Sequence, residues 1–431
     1  MAKETLSIPT EPCEARVGAV LVVVVVATLW LFGSRGREQT MRSRGRSMGG
    51  SRRLQSPEPG LRLRFGSPVV IPATRLRIQL SRHRQVSIAD EHSLLVVGPT
   101  RSGKTTSVVL PNLLSFQGSL IATSVKTDLL TSEILANREA KGRVMIIGDP
   151  ERATHRWDPI CEATGEREAT AMAHALVLAQ PSYTATSGDT HFWYQLAEPV
   201  VAGVLRASRG TGTPMLGWLD DPGELYRSLC TQGERRLAEQ VLATCALEER
   251  QRDSVLLTAR GLLGPLTHGN MDLPTLRVSD LLDGPASSTF LVASAGEQEF
   301  HSLLFALLLS RIVALALEGG RESPVLLCLD ELANLAPIPN LDRLAAIGIG
   351  QGVRLISIVQ DLAQLEHRYG RSANSIINNH ASKLFMNATS DPITRSYLRD
   401  LSSAALASRY PILMEGTHRM ARLFTYSKTR T

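Results

Sequence analysis

The stretch that decides the fold begins at Ser93 with the apolar run SLLVV and continues as Gly98-Pro99-Thr100-Arg101-Ser102-Gly103-Lys104-Thr105. The second part matches the pattern G-x-x-x-x-G-K-[ST], in which a glycine-rich turn leads from a strand into a helix. The two glycines allow backbone angles that a side chain would forbid, so main-chain N–H groups point into the loop. The pattern predicts a phosphate-binding loop between a buried strand at 93–97 and an apolar helix from about 104 to 115.

The residue types of this loop suit a nucleoside triphosphate with its metal ion. Lys104 is expected to reach the β- and γ-phosphates of ATP, and the Thr105 hydroxyl is expected to hold Mg²⁺. The alternative interpretation, a glycine turn without a ligand, is disfavoured by the strand before the turn and the helix after it. The predicted nucleotide-binding residues are Gly98, Pro99, Thr100, Arg101, Ser102, Gly103, Lys104, Thr105 and Thr106.

An acidic pair follows a second buried strand. The apolar run VLLCL at 325–329 ends in Asp330 and Glu331. We expect this strand to lie beside the loop strand, with Asp330 holding Mg²⁺ through water and Glu331 acting as the catalytic residue that polarises the attacking water. On its own such a pair is more often a solvated strand end, and the phosphate loop upstream is what favours the functional interpretation.

Other polar residues follow further apolar runs. Gln360 comes directly after the run at 353–359, and a parallel sheet would bring it to the nucleotide edge as a catalytic sensor of the γ-phosphate. The alternative for Gln360 is a polar strand cap. Lys126 and Asp128 follow the run at 119–124 and are weaker candidates for the same edge.

Continuous apolar runs separated by helical stretches predict an α/β fold with a mostly parallel sheet. The stretch 162–275 breaks this pattern, because it holds helix-like segments and no convincing strand. We therefore predict a P-loop NTPase domain in two parts, 61–161 and 276–400, with an all-α inserted domain at 162–275. The six predicted strands are 93–97, 119–124, 144–147, 289–293, 325–329 and 353–359, and the predicted helices of the insert are 166–179, 192–207, 234–245 and 248–263.

The amino-terminal part carries a candidate membrane anchor. Residues 17–34 are free of charge and would span about 27 Å as a helix, close to the hydrocarbon thickness of a bilayer. Seven arginines and one glutamate follow between 35 and 53, which predicts a single-pass membrane protein with residues 1–16 outside and the bulk of the chain in the cytoplasm. A cleaved signal peptide and a buried helix are the alternatives for 17–34.

Charge and cysteine content limit the remaining classes. The net charge is +6, and the segment 35–53 accounts for all of it, so the basic pI of 9.2 gives no support for DNA binding by the folded part. The basic segment lies in a predicted flexible linker, 35–60, that would contact anionic lipid or, alternatively, DNA. The five cysteines are odd in number and lack CxxC spacing, which predicts free thiols and no zinc site.

Several ordered segments resemble the type IV secretion coupling proteins of the TraG/TraD kind, which are related to the FtsK and HerA DNA pumps. The resemblance extends from about 78 to 400. The segments that carry it are HSLLVVGPTRSGKTTSVVLPNLL at 92–114, SVKTDLL at 124–130, WDPI at 157–160, HFWYQLAEPVVAGVL at 191–205, LDELANLAPIPNL at 329–341, GQGVRLISIVQDLAQLEHRYG at 350–370 and SDPITRSYL at 390–398.

The resemblance implies a RecA-like P-loop ATPase that forms a ring hexamer at the inner membrane and uses ATP and Mg²⁺. Its partners would be single-stranded DNA or a relaxase–DNA complex, components of the type IV secretion channel, and the lipid membrane. The chain departs from the family in having one predicted membrane helix where many relatives have two. Ile349 stands about where some relatives place an arginine that reaches the neighbouring subunit, with Arg343 and Arg354 as nearby substitutes.

The last part of the chain, 401–431, matches nothing expected of the family, which predicts a diverged or truncated tail. Two alternative functions therefore stay open beside DNA transfer. The first is an ATPase that recruits protein substrates without pumping DNA, which the neutral charge of the folded part permits. The second is a non-enzymatic docking protein that binds ATP, which the unusual tail permits.

Overall fold

Nine strands form a mostly parallel sheet at the centre of the structure. The structure is a computed structural model that describes residues 74–81, 84–180, 189–209, 211–267, 272–282, 286–294, 296–318, 323–386, 390–401, 408, 410–416 and 419–423. The strands are β1 (Arg77–Ser81), β2 (Arg84–Ser87), β3 (Leu94–Val97), β4 (Ser119–Ser124), β5 (Arg143–Ile147), β6 (Arg156–Trp157), β7 (Thr275–Leu276), β8 (Ser287–Val292), β9 (Val325–Leu329), β10 (Val353–Val359), β11 (Ser382–Phe385), β12 (Ile412–Glu415) and β13 (Arg419–Arg422).

Helices connect these strands on both faces of the sheet. They are α1 (Leu110–Ser115), α2 (Ser132–Glu139), α3 (Pro159–Glu162), α4 (Glu166–Leu178), α5 (Asp189–Ala207), α6 (Pro222–Thr231), α7 (Arg235–Cys245), α8 (Glu249–Leu263), α9 (Val278–Leu282), α10 (Gln298–Leu317), α11 (Leu332–Leu335), α12 (Leu341–Ile347), α13 (Leu362–Tyr369), α14 (Ala373–Asn379) and α15 (Pro392–Leu401). The predicted α/β fold with a mostly parallel sheet is confirmed, and each of the six predicted strands is present within two residues of its expected bounds.

The strand order in the sheet is β13-β12-β11-β3-β10-β9-β4-β8-β5. Strand β12 pairs antiparallel with both β11 and β13, and the remaining pairs are all parallel. The prediction that the acidic strand lies beside the loop strand is wrong. Strand β10 lies between them, with Ile356 paired to Leu94 of β3 on one side and to Cys328 of β9 on the other. The sequence could not show this, because β10 comes later in the chain and is apolar enough for any central position.

The tail beyond residue 401 contributes to the sheet, which the sequence did not indicate. Strand β12 pairs with β11, which is itself paired with the loop strand β3, and β13 pairs with β12. The hairpin therefore forms the end of the sheet on the β3 side. The apolar run of β12 is short, from Ile412 to Met414, yet it is buried on both faces of the sheet: Leu413 lies in one core and Ile412 and Met414 lie in the other. The described part of 401–431 is therefore integrated into the nine-stranded sheet.

The sheet buries a separate core on each face, because alternate residues of a strand point to opposite sides. Leu94 and Val96 of β3 face a cluster with α1, α2 and the β1–β2 hairpin. Leu95 and Val97 face a larger cluster that joins the sheet to the helices of residues 159–267 and to α10. The helical segment thus shares one continuous core with the sheet.

The helical segment is joined to the sheet where it enters and leaves. Arg156 and Trp157 pair in parallel with Thr275 and Leu276, so a strand bridge lies at the end of the stretch expected to be purely helical. The buried Glu162 accepts a hydrogen bond from the N–H of Val278 (2.8 Å). The WDPI segment therefore lies at the junction of the two parts of the protein.

No helix within the described part of the chain is both long and apolar enough to cross a bilayer. The predicted membrane helix at 17–34 lies outside the described residues, as do the tail 1–16 and the linker 35–60.

A buried histidine supports the strand that ends at Gln360. His380 has ring nitrogens 2.7 Å from the carbonyl oxygen of Ile376 and 2.9 Å from the hydroxyl oxygen of Ser357, which belongs to β10. Burial lowers the pKa of His380 to about 4, against the opposing effect of the Ile376 carbonyl. The folded protein therefore keeps this ring neutral at pH values where an unfolded histidine takes up a proton.

We expect His380 to make the protein less stable in acid. An unfolded histidine titrates near pH 6.5, so stability should be lost as the pH falls from about 6.5 towards 4, by about 3 kcal/mol in total from this group. The measurement is the urea midpoint of unfolding across this range for the wild type and for His380→Asn, which cannot titrate. The variant should lose less stability on acidification; an identical acid dependence in both proteins would contradict the prediction, since all other groups are common to both.

Candidate functional site

The loop at 98–105 follows β3 at the carboxyl edge of the sheet and is shaped by its glycines. The N–H of Gly98 donates to the carbonyl oxygen of Val359, so the loop begins against the end of β10. A side chain at 98 would place its Cβ 2.5 Å from the Cβ of Met386, and Gly103 has a φ of +88°, which favours glycine. The loop therefore requires glycine at both positions named by the motif.

Lys104 is folded back over the loop. Its Nζ donates to the carbonyl oxygens of Gly98 and, at 3.1 Å, Pro99, and only 7% of the residue is exposed. Burial lowers the pKa of Lys104, while the carboxylates of Glu331 and Asp330 act in the opposite direction. A buried ammonium whose partners are neutral carbonyls is well suited to an anionic ligand, because phosphate oxygens would supply the missing negative charge.

The helix after the loop begins differently from the prediction of one α-helix over 104–115. Residues Thr105–Val109 form a π-helix, in which the N–H of Leu110 donates to the carbonyl oxygen of Thr105, and α1 follows. The wide first turn is compatible with the loop's unusual backbone, since Arg101 has a φ of +61°. The hydroxyl of Thr106 donates to the carbonyl oxygen of Gly103 at 3.2 Å.

The remaining loop residues line the mouth of the site. Thr100, Arg101 and Thr106 are exposed, whereas Ser102 is half-buried. The Ser102 hydroxyl is hidden from solvent and has no hydrogen-bond partner among the described residues. An unsatisfied hydroxyl inside a phosphate loop is consistent with a site that is completed by a polar ligand.

The acidic pair lies two strands away at the same edge. Burial, and next the charge of Glu331, raise the pKa of Asp330 to about 6, with Lys104 opposing the shift. The carbonyl oxygen of Asp330 accepts a hydrogen bond from the buried hydroxyl of Thr123 at 2.7 Å. Glu331 adopts a left-handed backbone conformation with a φ of +51°, a strained geometry for a glutamate. The turn therefore directs both carboxylates to the edge that carries the loop.

Gln360 and Glu331 contact each other. The Nε2 of Gln360 lies 3.2 Å and 3.1 Å from the two carboxylate oxygens of Glu331, so the amide donates to the carboxylate. Gln360 directly follows β10, the strand between the loop strand and the acidic strand. The structure therefore brings the predicted catalytic side chains of Glu331 and Gln360 together beside the loop. They meet because β9 and β10 are neighbours in the sheet, which the sequence did not reveal.

The residues present fit ATP with Mg²⁺. The loop provides main-chain N–H groups and the Lys104 ammonium for phosphate oxygens, and Thr105 with Asp330 provides the oxygen donors that Mg²⁺ prefers. Burial raises the pKa of Asp330, and a nearby cation would lower this pKa by stabilising the carboxylate. Among the described residues no group of three or more His, Cys, Asp or Glu side chains is placed to hold a metal by itself, so phosphate and hydroxyl oxygens would have to complete the set.

Two weaker candidates lie on the same edge of the sheet. Lys126 and Asp128 follow β4, which is three strands from β3, and both line a cavity of about 730 Å³ together with Arg152. Asp128 accepts a hydrogen bond from the Ser124 hydroxyl (3.4 Å). The structure thus places Lys126 and Asp128 on the same edge, after the strand that neighbours β9. They are close enough for the charge of Asp128 to help raise the pKa of Asp330 and for that of Lys126 to help lower the pKa of Lys104.

The two arginines considered for a contact between subunits do not reach this site within one chain. Arg354 lies at the start of β10, the opposite edge of the sheet, and its Nε and Nη1 are buried without hydrogen-bond partners among the described residues. Arg343 is exposed on α12.

Sequence reasoning missed the residues that support the site from behind. Thr123 and Met386 lie at strand ends, and Thr394 lies in a helix distant in the sequence. Only Thr394 had a sequence signal, as part of the SDPITRSYL segment. The contacts of Thr123 and Met386 depend on strand order and therefore become visible only in the fold.

Comparison with known proteins connects this site to a family. The model of the family described as "Type IV secretory system Conjugative DNA transfer" matches residues 78–402. Protein VirD4 of Rhizobium rhizogenes is 28% identical over 331 residues, covering 71% of this chain and 48% of VirD4. The conjugal transfer protein TraG of Escherichia coli is 25% identical over 382 residues, covering 79% of this chain and 59% of TraG. The chain spans about half the length of these curated relatives.

Solved structures show the same fold. The bacterial conjugative coupling protein TrwBdeltaN70, in a trigonal form with sulphate, superposes with a TM-score of 0.62 at 17% identity, covering 79% of this chain and 87% of that one. TrwB in complex with ADP and Mg²⁺ gives a TM-score of 0.61 at 16% identity, covering 84% and 97%. The family match covers the loop, the acidic pair, Gln360 and the SDPITRSYL segment, and the chain belongs to the type IV secretory system family for conjugative DNA transfer.

Proposed function

We propose that this chain is a membrane-anchored ATPase that couples a relaxase–DNA substrate to a type IV secretion channel and powers DNA transfer by ATP hydrolysis. One observation carries the enzymatic part: the phosphate loop, the Glu331 carboxylate and the Gln360 amide meet at one edge of the sheet, with Gln360 donating to Glu331 at 3.1 Å. Membership of the conjugative DNA transfer family supports the cellular part.

The arrangement of charges supports hydrolysis of a triphosphate. Lys104 would leave the carbonyls of Gly98 and Pro99 to bind the β- and γ-phosphates, and its positive charge would stabilise the negative charge that develops there. Glu331 would orient and polarise the attacking water, and Gln360 would contact the γ-phosphate. Mg²⁺ held by Thr105 and, through water, Asp330 would supply further charge neutralisation.

The proposal also includes the membrane and the assembly. Residues 17–34 would anchor the chain in the inner membrane with residues 1–16 outside, and the ATPase would assemble as a homo-hexamer in the cytoplasm. Single-stranded DNA, the relaxase and channel components would be its partners. The structures of TrwB with ADP and Mg²⁺ support the same cofactors here, since the loop has the residues to hold them.

The test is ATP hydrolysis by the full-length chain in detergent, with and without single-stranded DNA. We expect low basal turnover that DNA raises severalfold, because a DNA pump must link hydrolysis to its substrate, and the stimulation should weaken with added salt. The Lys104→Ala variant gives the background rate.

The other outcomes identify the alternatives. Hydrolysis that does not respond to DNA would contradict the pump and favour recruitment of protein substrates. Absence of hydrolysis in a folded, oligomeric preparation would contradict the ATPase and favour the docking protein.

A further inference from the structure

A buried threonine outside the nucleotide loop connects the SDPITRSYL segment to the proposed site. Thr394 lies in the first turn of α15 and none of its surface is exposed. Its hydroxyl donates to the Oδ2 of Asp391 at 2.6 Å, and the N–H of Thr394 donates to the same oxygen at 2.7 Å. Since the hydroxyl proton is directed at Asp391, the lone pairs of its oxygen are free to accept.

The hydroxyl oxygen accepts from the N–H of Leu362, at 2.9 Å. Leu362 is the second residue after Gln360 and is itself buried. The turn between β10 and α13 therefore contains a buried N–H group that donates to a side chain 32 residues away in the sequence. Without Thr394 this N–H would have no acceptor, which is costly for a buried group.

Two further N–H groups at the same turn also donate to side chains. The N–H of Gln360 donates to the Oε1 of Gln364, and the N–H of Gln364 donates to the Oδ1 of Asp361, both at 2.9 Å. These two bonds lie within the turn, so they fix its shape but not its position relative to the sheet. The Thr394 contact is the one of these three that ties the turn to a separate helix.

We propose that Thr394, oriented by Asp391, is a positioning residue that fixes Gln360 against Glu331 and the γ-phosphate. The inference rests on the proposed function, and it deepens it by assigning a task to the SDPITRSYL segment. Three hydrogen bonds connect the segment to the site. Asp391 accepts from the Thr394 hydroxyl, and that hydroxyl accepts from the N–H of Leu362. Leu362 belongs to the turn that begins with Gln360, whose side chain donates to Glu331. Small displacements of positioning groups change rates strongly, because the reacting atoms must be held within a fraction of an ångström.

The decisive variant is Thr394→Val, which keeps the shape of the side chain but removes the hydroxyl. We expect kcat to fall about tenfold while the affinity for a fluorescent ATP analogue stays within about twofold, since the loop that binds the phosphates is untouched. Thr394→Ser should restore most of kcat because serine keeps the hydroxyl. The matched control is Thr289→Val: Thr289 is equally buried in β8, but its hydroxyl has no partner among the described residues, so kcat should not change.

A wild-type kcat in Thr394→Val would overturn the proposal, as would a loss of kcat that Thr394→Ser does not restore. A loss that only follows a lower nucleotide affinity or a lower folded fraction would show a purely structural role and would also overturn it.

Amide hydrogen exchange separates this proposal from the proposed function, because it needs no turnover. In the full-length chain Thr394→Val should speed exchange in the segment 360–364 and leave the protection of 98–105 by an ATP analogue intact. If the wild type does not hydrolyse ATP, the proposed function fails while this measurement still decides the role of Thr394. An unchanged rate of amide exchange in 360–364 would overturn the proposed role of Thr394.

Discussion

Lys104→Ala is expected to reduce ATP hydrolysis at least about 10³-fold, to the background of the assay. In the structure the Lys104 ammonium is buried over the loop and donates to the carbonyls of Gly98 and Pro99. No other lysine or arginine among the described residues donates to those loop carbonyls, and charge stabilisation inside a site that excludes water is commonly the largest catalytic effect. The measurement is steady-state phosphate release by wild type and variant at saturating ATP.

A matched control for this lysine exists in the same chain. Lys141 also donates to a main-chain carbonyl, that of Leu114, and burial lowers its pKa to about 8. It lies behind α1 and away from the nucleotide edge, so Lys141→Ala should alter stability while leaving turnover per folded molecule near the wild-type value. Turnover by Lys104→Ala close to that of Lys141→Ala would contradict the assignment of the loop.

Glu331→Gln is expected to lower turnover by about 10²–10³-fold while ATP binding is retained, as for loss of a general base. The substitution keeps the size of the side chain and leaves oxygen and nitrogen atoms that can still meet the Gln360 amide. It removes the negative charge that lies beside the phosphate loop, so we expect ATP to bind at least as tightly as in the wild type. The measurement compares single-turnover hydrolysis with the affinity for a fluorescent ATP analogue.

Two further variants serve as a control and a comparison for Glu331→Gln. Glu366→Gln removes an exposed carboxylate from α13, near the site but outside it, and should leave the single-turnover rate unchanged. Gln360→Ala should lower the rate less than Glu331→Gln, because it removes the partner of the carboxylate and not the carboxylate. A Glu331→Gln enzyme that hydrolyses ATP at the wild-type rate would show that another group polarises the water.

The sequence was sufficient for the local parts of the site. The phosphate loop was predictable because its glycines, Lys104 and Thr105 are close in the chain and their chemistry follows from one short turn. Asp330 and Gln360 were identified by their position directly after buried strands, since parallel strands end at one edge of a sheet. Their roles in catalysis stay predictions until the variants are measured.

Contacts between distant segments could not be predicted in the same way. The expected neighbour of β3 was the acidic strand, and the actual neighbour is β10, because apolar strands of similar composition are interchangeable in a sequence. The hairpin β12–β13 was not predictable because its longest apolar run, Ile412 to Met414, is too short to indicate a strand by itself. Thr394 was noticed only as part of a resemblance, since a hydroxyl that supports another segment looks like any other polar residue of a helix.

The α/β class, the phosphate loop, the acidic pair and the helical character of 162–275 follow from the sequence alone, because each depends on residue types that are close together in the chain. Three contacts become visible only in the folded chain: Gln360 with Glu331, Thr394 with the turn after Gln360, and the helical segment with the core of the sheet. Those contacts depend on strand order and on packing between segments far apart in the chain, where many arrangements bury similar apolar area. Neighbouring residues fix local geometry, whereas the choice among arrangements depends on the sum of all long-range contacts at once.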